Sequence, residues 1–425
     1  MRYKSYYILI SLMALIVVPT SFGLQMGDIN NDEDVNIADV VYLFKNRDVS
    51  IGEGDLNCDD TINIADVVYL FKNYNKFRSP LVFAEKFTLE PEWDTGYCYL
   101  VDSNGNKFVL VVNGSTAPDI PGATEMTVPV QKIVVAYYSP VISTADILNN
   151  EEYYNTMKGV PEYAIRRSPK LTELHNEGKV VSIGKSMIKS MNYELVLNIS
   201  PEVVFLGDMA AHDEIEAKLK ELNIPVARSF TYDEPTFLGR LEWAKFVAAF
   251  WGKDAYNEAN EYFQKAWYDR NNLLRIVRKS DTYPTVVNFF KFSDTSTPSV
   301  LEAQNFRAKL IEQFHGRYVF NDIPGTGSKK MDTETFMERA KNTDVVILRM
   351  RKDITSKEDL LEAYPTSGFE NFKAFKESRF YVSTPDYYIW EARDPIGYME
   401  DYAKMIHPEL FPDGDNNLKY HIKIT

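Results

Sequence analysis

The sequence predicts an α/β chain. Two parallel-sheet lobes are joined by a long helix and preceded by a small helical module and a short β-rich segment. Three observations predict it. A 20-residue motif occurs twice near the N-terminus. Short apolar runs alternate with amphipathic helices after Pro129. A helical stretch runs from about 236 to 279 and is closed by Pro284. Apolar strands too short for a helix, each followed by one, argue for parallel sheets covered on both faces.

Composition narrows the function. The chain has 425 residues, 47 Lys+Arg against 61 Asp+Glu, and a net charge of −14. Such an acidic chain lacks the basic stripe that nucleic acid requires, so no nucleic-acid partner is expected. Hydrophobic residues at 45% suffice for true cores. Two cysteines, Cys58 and Cys98, exclude a disulfide scaffold and an all-cysteine metal site. The five histidines are scattered without HxxxH spacing, and GxSxG, HExxH and P-loop motifs are absent.

Residues 1–23 read as an export signal. Arg2 and Lys4 precede an apolar run from Ile8 to Val18, and Ser21 and Gly23 suit cleavage after Gly23. That run is well short of the roughly 20 residues needed to span a bilayer. No cysteine lies near the expected cut for a lipid anchor. The expected location is extracellular and cell-surface associated.

Residues 27–46 (GDINNDEDVNIADVVYLFKN) and 54–73 (GDLNCDDTINIADVVYLFKN) agree at 15 of 20 positions. In each copy oxygen side chains recur at loop positions 1, 3, 5, 9 and 12. These are Asp28, Asn30, Asp32, Asn36 and Asp39, then Asp55, Asn57, Asp59, Asn63 and Asp66. The carbonyls of Asp34 and Thr61 fall at position 7. A hard cation takes six to eight such oxygens, so the spacing predicts two Ca²⁺ sites. Position 6 holds Glu33 and Asp60 rather than the usual glycine. A helix is expected after each loop, over Ala38–Lys45 and Ala65–Lys72.

The segment 27–75 resembles a type I dockerin. The pattern D-x-N-x-D-x-x-[VI]-N-x-x-D is followed by a short helix ending in LFKN, duplicated in about 50 residues. The resemblance implies two Ca²⁺ ions and a cohesin partner on a scaffold or cell-surface protein. It places cohesin contacts at loop positions 10 and 11, which are Ile37 and Ala38, and Ile64 and Ala65. Near-identity of the copies allows docking in two orientations.

Residues 76–128 read as a linker, flexible through about 74–82, followed by strands at Lys86–Leu89, Tyr97–Val101 and Lys107–Val112. The first lobe, 129–235, carries strands at Lys132–Ala136, Val180–Ile183, Val203–Leu206 and Val226–Ser229, with a helix over Asp213–Leu222. The connecting helix covers 236–281, with Gly252 separating two pieces. The second lobe, 282–425, has strands at Thr285–Phe290, Val319–Phe320, Asp344–Leu348 and Phe380–Val382, and a last helix over Pro395–Ile406.

Residues 129–412 resemble the substrate-binding proteins of ABC importers for iron-siderophores, haem and cobalamin. VVSIGKSMIKSMNYELVLNISPEVVFLGD, KLKELNIPVARSF, MDTETFMERAKNTDVVILR, ENFKAFKESRFYVS and AKMIHPELFPD carry the likeness, in the family's order. The resemblance implies a non-enzymatic protein that binds a ferric siderophore, haem or corrinoid between its lobes. It also places the loop after Gly184, with Lys185 and Met187, at the cleft. It implies docking to a permease through an acid on each lobe, Glu194 and Glu334.

Strand carboxyl ends select candidate ligand residues independently of any family. They are Tyr137, Tyr138 and Ser139; Asp208 and Met209; Lys291, followed by Phe292; Arg349 and Arg351; and Tyr387, Tyr388 and Trp390 beside Asp386, with Arg393 beyond. Aromatic faces suit a planar macrocycle or catecholate, and guanidinium groups suit carboxylates or chelate oxygens. Two alternatives stand beside this reading: a dockerin-borne carbohydrate enzyme, which needs a pair of opposed carboxylates, and a cell-surface adhesion module.

Overall fold

The computed structural model describes residues 25–32, 34–46, 48–50, 54–58, 61–136, 140–185, 191–207, 209–350, 353–385 and 387–425, without the Trp390 side chain. The export signal and Glu33, Asp59 and Asp60 lie outside the described residues, as do Tyr137, Tyr138, Ser139, Met187, Asp208, Arg351 and Asp386.

Helices α1 (Ile37–Lys45) and α2 (Ile64–Phe77) come after the two loops. Both start with the same reciprocal cap. Asn36 and Asn63 accept from the backbone of the first turn, while Asp39 and Asp66 reach back to the cap residue. The repeated sequence thus yields repeated local structure.

The segment after α2 is not the expected flexible tether. Val82, Phe83 and Ala84 donate their backbone N–H groups to the Glu242 carboxylate at 2.8, 2.7 and 2.7 Å. Glu85 and Lys86 donate theirs to Glu234 at 2.9 and 3.1 Å. Lys245 Nζ donates to the Pro80 carbonyl at 2.9 Å. Two carboxylates 148 to 160 residues away in sequence hold this segment as a strap. Pattern reading sees polar, proline-bearing sequence and cannot see those acceptors.

Strands β1 (Thr88–Glu90), β2 (Tyr97–Val101), β3 (Lys107–Val112) and β4 (Ala123–Val128) form a sheet in that order, with β3 and β4 parallel. The strands expected after the linker are therefore present, with β4 in addition. Phe87, Leu100, Phe108 and Leu110 share one core with the first lobe.

The first lobe holds β5 (Ile133–Val135), β6 (Met157–Val160), β7 (Val181–Ser182), β8 (Val203–Leu206) and β9 (Val226–Arg228). The order is β7-β6-β5-β8-β9 and every pairing is parallel. Helix α3 (Val141–Leu148) comes after β5, and α4 (Tyr193–Ile199) precedes β8.

The predicted connector is two helices. Helix α5 (Phe237–Phe250) is buried along its whole length, and α6 (Lys253–Val277) makes the crossing alone. Gly252 breaks them apart at φ 102°, a value that side chains disfavour. The 25 residues of α6 span about 37 Å.

The second lobe is mixed rather than purely parallel. Strands β10 (Thr285–Phe290), β14 (Val345–Arg349) and β15 (Phe380–Ser383) run parallel at its centre, with β12 (Arg317–Tyr318) parallel beside β10. Strands β11 (Ser299–Leu301), β13 (Ser328–Lys330) and β16 (His421–Lys423) add antiparallel pairings, with β13 and β16 at the two edges. Helices α7 (Phe306–Gln313), α8 (Thr333–Ala340), α9 (Tyr387–Arg393) and α10 (Pro395–Ile406) belong to this lobe. Among the described residues no helix is long and apolar enough to cross a membrane.

The 27–75 module packs onto the connector. Val40, Leu43, Val67 and Leu70 share a core with Leu238 and Leu241 of α5 and Phe263, Ala266 and Trp267 of α6.

Candidate functional site

In each lobe the strand order reverses beside the first strand. The switch lies between β5 and β8 in the first lobe and between β10 and β14 in the second. The space outside the carboxyl ends of these strands is where open parallel sheets bind ligands. In the first lobe half-buried Met209 follows β8, and the predicted residues at 137–139 and 208 lie outside the described residues. Lys185 is exposed after β7.

In the second lobe β10 delivers Lys291 and Phe292. Lys291 is buried, and its Nζ donates to the Ser296 carbonyl at 2.7 Å. Burial holds its ammonium below the ordinary lysine range, against the opposing pull of Asp294. Phe292 is 65% exposed, a full aromatic face in solvent at the switch point.

Other predicted residues are turned away from the cleft. Arg349 is buried, and its Nε donates to Asn288 Oδ1 at 2.8 Å. Asn288 in turn bonds Tyr402 on α10 at 2.5 Å. Arg349 thus points into the lobe body, because the last residue of β14 shares a sheet face with Asn288. Arg393, predicted as an anion clamp, lies against Asp146 of the first lobe. Asp146 also accepts from the Tyr154 hydroxyl, so Arg393 ties α9 to α3. Tyr387 is buried in the second-lobe core. Tyr388 stands edge-on to it at 5.7 Å, with the Arg167 guanidinium of the first lobe 5.2 Å from its ring. Sequence reasoning missed Arg167, which 221 residues separate from Tyr388.

The acidic loops differ from one another. In the first, Asp32 N donates to Asp28 Oδ1 at 3.1 Å, and Asn30 Nδ2 donates to Asp32 Oδ2 at 2.8 Å. Asp39 is buried and accepts from the backbone of Ile29, Asn30 and Asn36 at 2.7, 3.1 and 2.8 Å. Among the described residues no three His, Cys, Asp or Glu side chains converge as a metal cluster. Asparagine and carbonyl oxygens must therefore complete any cation shell. That donor set is all hard oxygen and fits Ca²⁺ by chemistry. In the second loop Asp55 is buried against Arg275.

The module's helices carry an unusual surface. Ile37, Val41, Tyr42 and Phe44 on α1 and Ile64, Val68, Tyr69 and Phe71 on α2 are all exposed, at matching positions of the repeat. Ala38 and Ala65 are exposed beside them.

Two α/β lobes bridged by one helix, with switch points in both, define the architecture. Residues 158–387 match the family model described as periplasmic binding protein. This chain belongs to the periplasmic binding protein family. An uncharacterized lipoprotein of Methanocaldococcus jannaschii is 51% identical over 343 residues, 80% of this chain and 86% of the relative. An uncharacterized protein of the same organism is 34% identical over 301 residues, covering 70% and 88%. Two solved structures share the fold. A TroA-like periplasmic binding protein, FepB, from Veillonella parvula gives a TM-score of 0.53 at 14% identity, covering 73% of this chain and 98% of that one. A periplasmic heme binding protein from Pseudomonas aeruginosa gives 0.51 at 14% identity, covering 70% and 98%.

Proposed function

We propose that this periplasmic binding protein captures a metal chelate or corrinoid for an ABC importer. Ferric siderophores, haem and cobalamin are the ligand class. The observation that carries the reading is Phe292, an aromatic face offered to solvent at the second-lobe switch point. A planar or aryl-rich ligand stacks on such a face. The role is binding, and no residue is assigned a catalytic part. Delivery is to a permease, through Glu194 and Glu334. One structural neighbour, a periplasmic heme binding protein, fits the same class.

The protein works outside the membrane at the cell surface. The 27–75 module supplies the attachment that a lipid supplies in a lipoprotein relative. Calcium in the first loop, through Asp28, Asn30, Asp32 and Asn36, steadies the module. The exposed apolar faces around Ile37, Ala38, Ile64 and Ala65 then dock a cohesin-type domain, since apolar patches of this kind mark protein partners.

Two experiments test this. Thermal unfolding is followed with haem, cyanocobalamin, a ferric catecholate and a ferric hydroxamate. One ligand at about 100 times its Kd should stabilise the protein by about 2.7 kcal/mol. No shift with any of the four overturns the ligand class. Cell fractionation of an Ile37→Asp, Ile64→Asp double variant should move the protein into the medium. Unchanged retention overturns the attachment.

A further inference from the structure

The two loops share a sequence but not a setting. Asp28 opens the first loop and is half-buried beside exposed Asp32 and Asp34. Asp55 opens the second and is 1% exposed. Arg275 of α6 donates from Nε to Asp55 Oδ2 at 2.8 Å, and from a terminal nitrogen to the Asp55 carbonyl at 3.0 Å. Arg278, one turn on, sets its guanidinium against the carbonyls of Asn57 and Cys58. Arg270 lies close enough for its charge to bear on the Cys58 thiol, along with those of Arg275 and Arg278.

These contacts give the second loop what a cation would give it. A positive charge meets the buried Asp55 carboxylate, and N–H donors fix the loop backbone. The loop's last acid, Asp66, accepts from the backbone N–H groups of Asn57 and Asn63 at 3.1 and 2.9 Å. A divalent cation on the same carboxylate would face the guanidinium on its other oxygen, and like charges at that range repel. In the first loop Arg78 meets Asp34 at 3.5 Å, with both side chains more than half exposed. Solvent screens that pair.

We infer that Arg275 closes the second loop in place of calcium. The chain takes one Ca²⁺, in the first loop, and the second loop clamps the module to the interlobe helix. The inference rests on the calcium reading of the first loop given above. It assigns the near-identical copies different work, one for a cation and one for fixing the module's orientation on the lobes.

Calorimetric titration of the chelator-treated full chain with calcium chloride tests it. The wild type should show one site. Asp28→Asn should abolish binding, and Asp55→Asn should leave one site, because an amide oxygen still accepts from Arg275. Arg275→Gln should reveal a second site or tighten it by at least about tenfold, having removed a neighbouring positive charge. Two sites in the wild type, or a site lost in Asp55→Asn, overturn the inference and leave the calcium reading standing. No calcium binding in any variant overturns both. If Arg275→Gln fails to fold, the wild-type and Asp55→Asn counts still decide.

Discussion

Glu391 on α9 takes Arg307 of α7 in a two-pronged ion pair, with Nε 3.0 Å and the terminal nitrogen 2.6 Å from Oε2. Arg240 of α5 adds a contact of its own, 3.2 Å from Oε1. All three side chains are buried, and the Arg240 guanidinium stacks 3.8 Å from the Phe306 ring. One carboxylate therefore balances two guanidinium groups where the connector's first helix meets the second lobe. Burial alone would lower the Arg307 pKa, but Glu391 more than offsets that and holds it above the ordinary range. Glu391→Gln keeps the shape and removes the charge. It should destabilise the protein by about 3–5 kcal/mol in urea unfolding, since two buried cations lose their counter-charge. A loss under about 1 kcal/mol would mean the cluster is wet.

The strap makes a second prediction. Glu242 is buried and accepts three backbone N–H groups and Lys245 Nζ, the last at 3.2 Å. Glu242→Ala orphans the three backbone donors and strips the buried Lys245 ammonium of its counter-charge, leaving it the Pro80 carbonyl. Local opening of 78–86 should become easier by about 3 kcal/mol, or on the order of a hundredfold in open population. Trypsin cleavage at Arg78 and Lys86 should accelerate accordingly, with fragments read by mass spectrometry. Equal cleavage rates in both proteins would show that the strap is held by something else.

Asp344 carries a pH signature. It accepts from Thr285 N and Oγ1, both at 2.7 Å, and from Lys373 Nζ at 2.6 Å, tying β10 and β14 to the 373–376 helix. Burial opposes its ionisation, yet the Lys373 and Thr285 contacts hold its pKa down at about 2. A lowered carboxyl pKa stabilises the fold above the unfolded value of about 3.9 and ceases to do so as pH falls through the folded value. Asp344→Asn should thus cost about 1 kcal/mol at pH 7, after allowance for solvent around the half-exposed Lys373. The gap between the two proteins should close between about pH 4 and pH 2. A gap that persists at pH 2 would trace the loss to packing.

Much of the scaffold was legible because its signals are local. β2, β3, β8, β10 and the helix Pro395–Ile406 fall at the predicted bounds, being apolar runs or periodic stretches between clear breaks. β4 (ATEMTV) was missed because its polar residues mask a strand paired along its whole length to β3. β11, β13 and β16 are three-residue strands that their partners alone define. The site was less legible for the same reason. An arginine at a strand end looks like an anion clamp until its partner is known. Asn288 for Arg349 and Asp146 for Arg393 lie 61 and 247 residues away in sequence. The clamp of Arg275 on Asp55 spans 220 residues and left no trace in the repeat.

Permease docking makes the last prediction. Glu194 and Glu334 are exposed in the first turns of α4 and α8, one on each lobe. Neither glutamate holds its helix end. That work falls to Asn192, which accepts from Leu195 N at 3.0 Å, and to Asp332, which accepts from Thr335 N at 2.9 Å. Replacing the glutamates should therefore cost under about 1 kcal/mol each, the helix-dipole contribution alone. Charge reversal at a docking rim acts instead on association with the partner. The double variant Glu194→Lys, Glu334→Lys should fold and bind ligand with unchanged affinity. Uptake into vesicles carrying the importer should fall by about tenfold or more, with partial recovery at high salt, where screening weakens the new repulsion. Normal uptake would remove both residues from the docking surface. Loss of ligand affinity with normal transport would instead place them at the cleft.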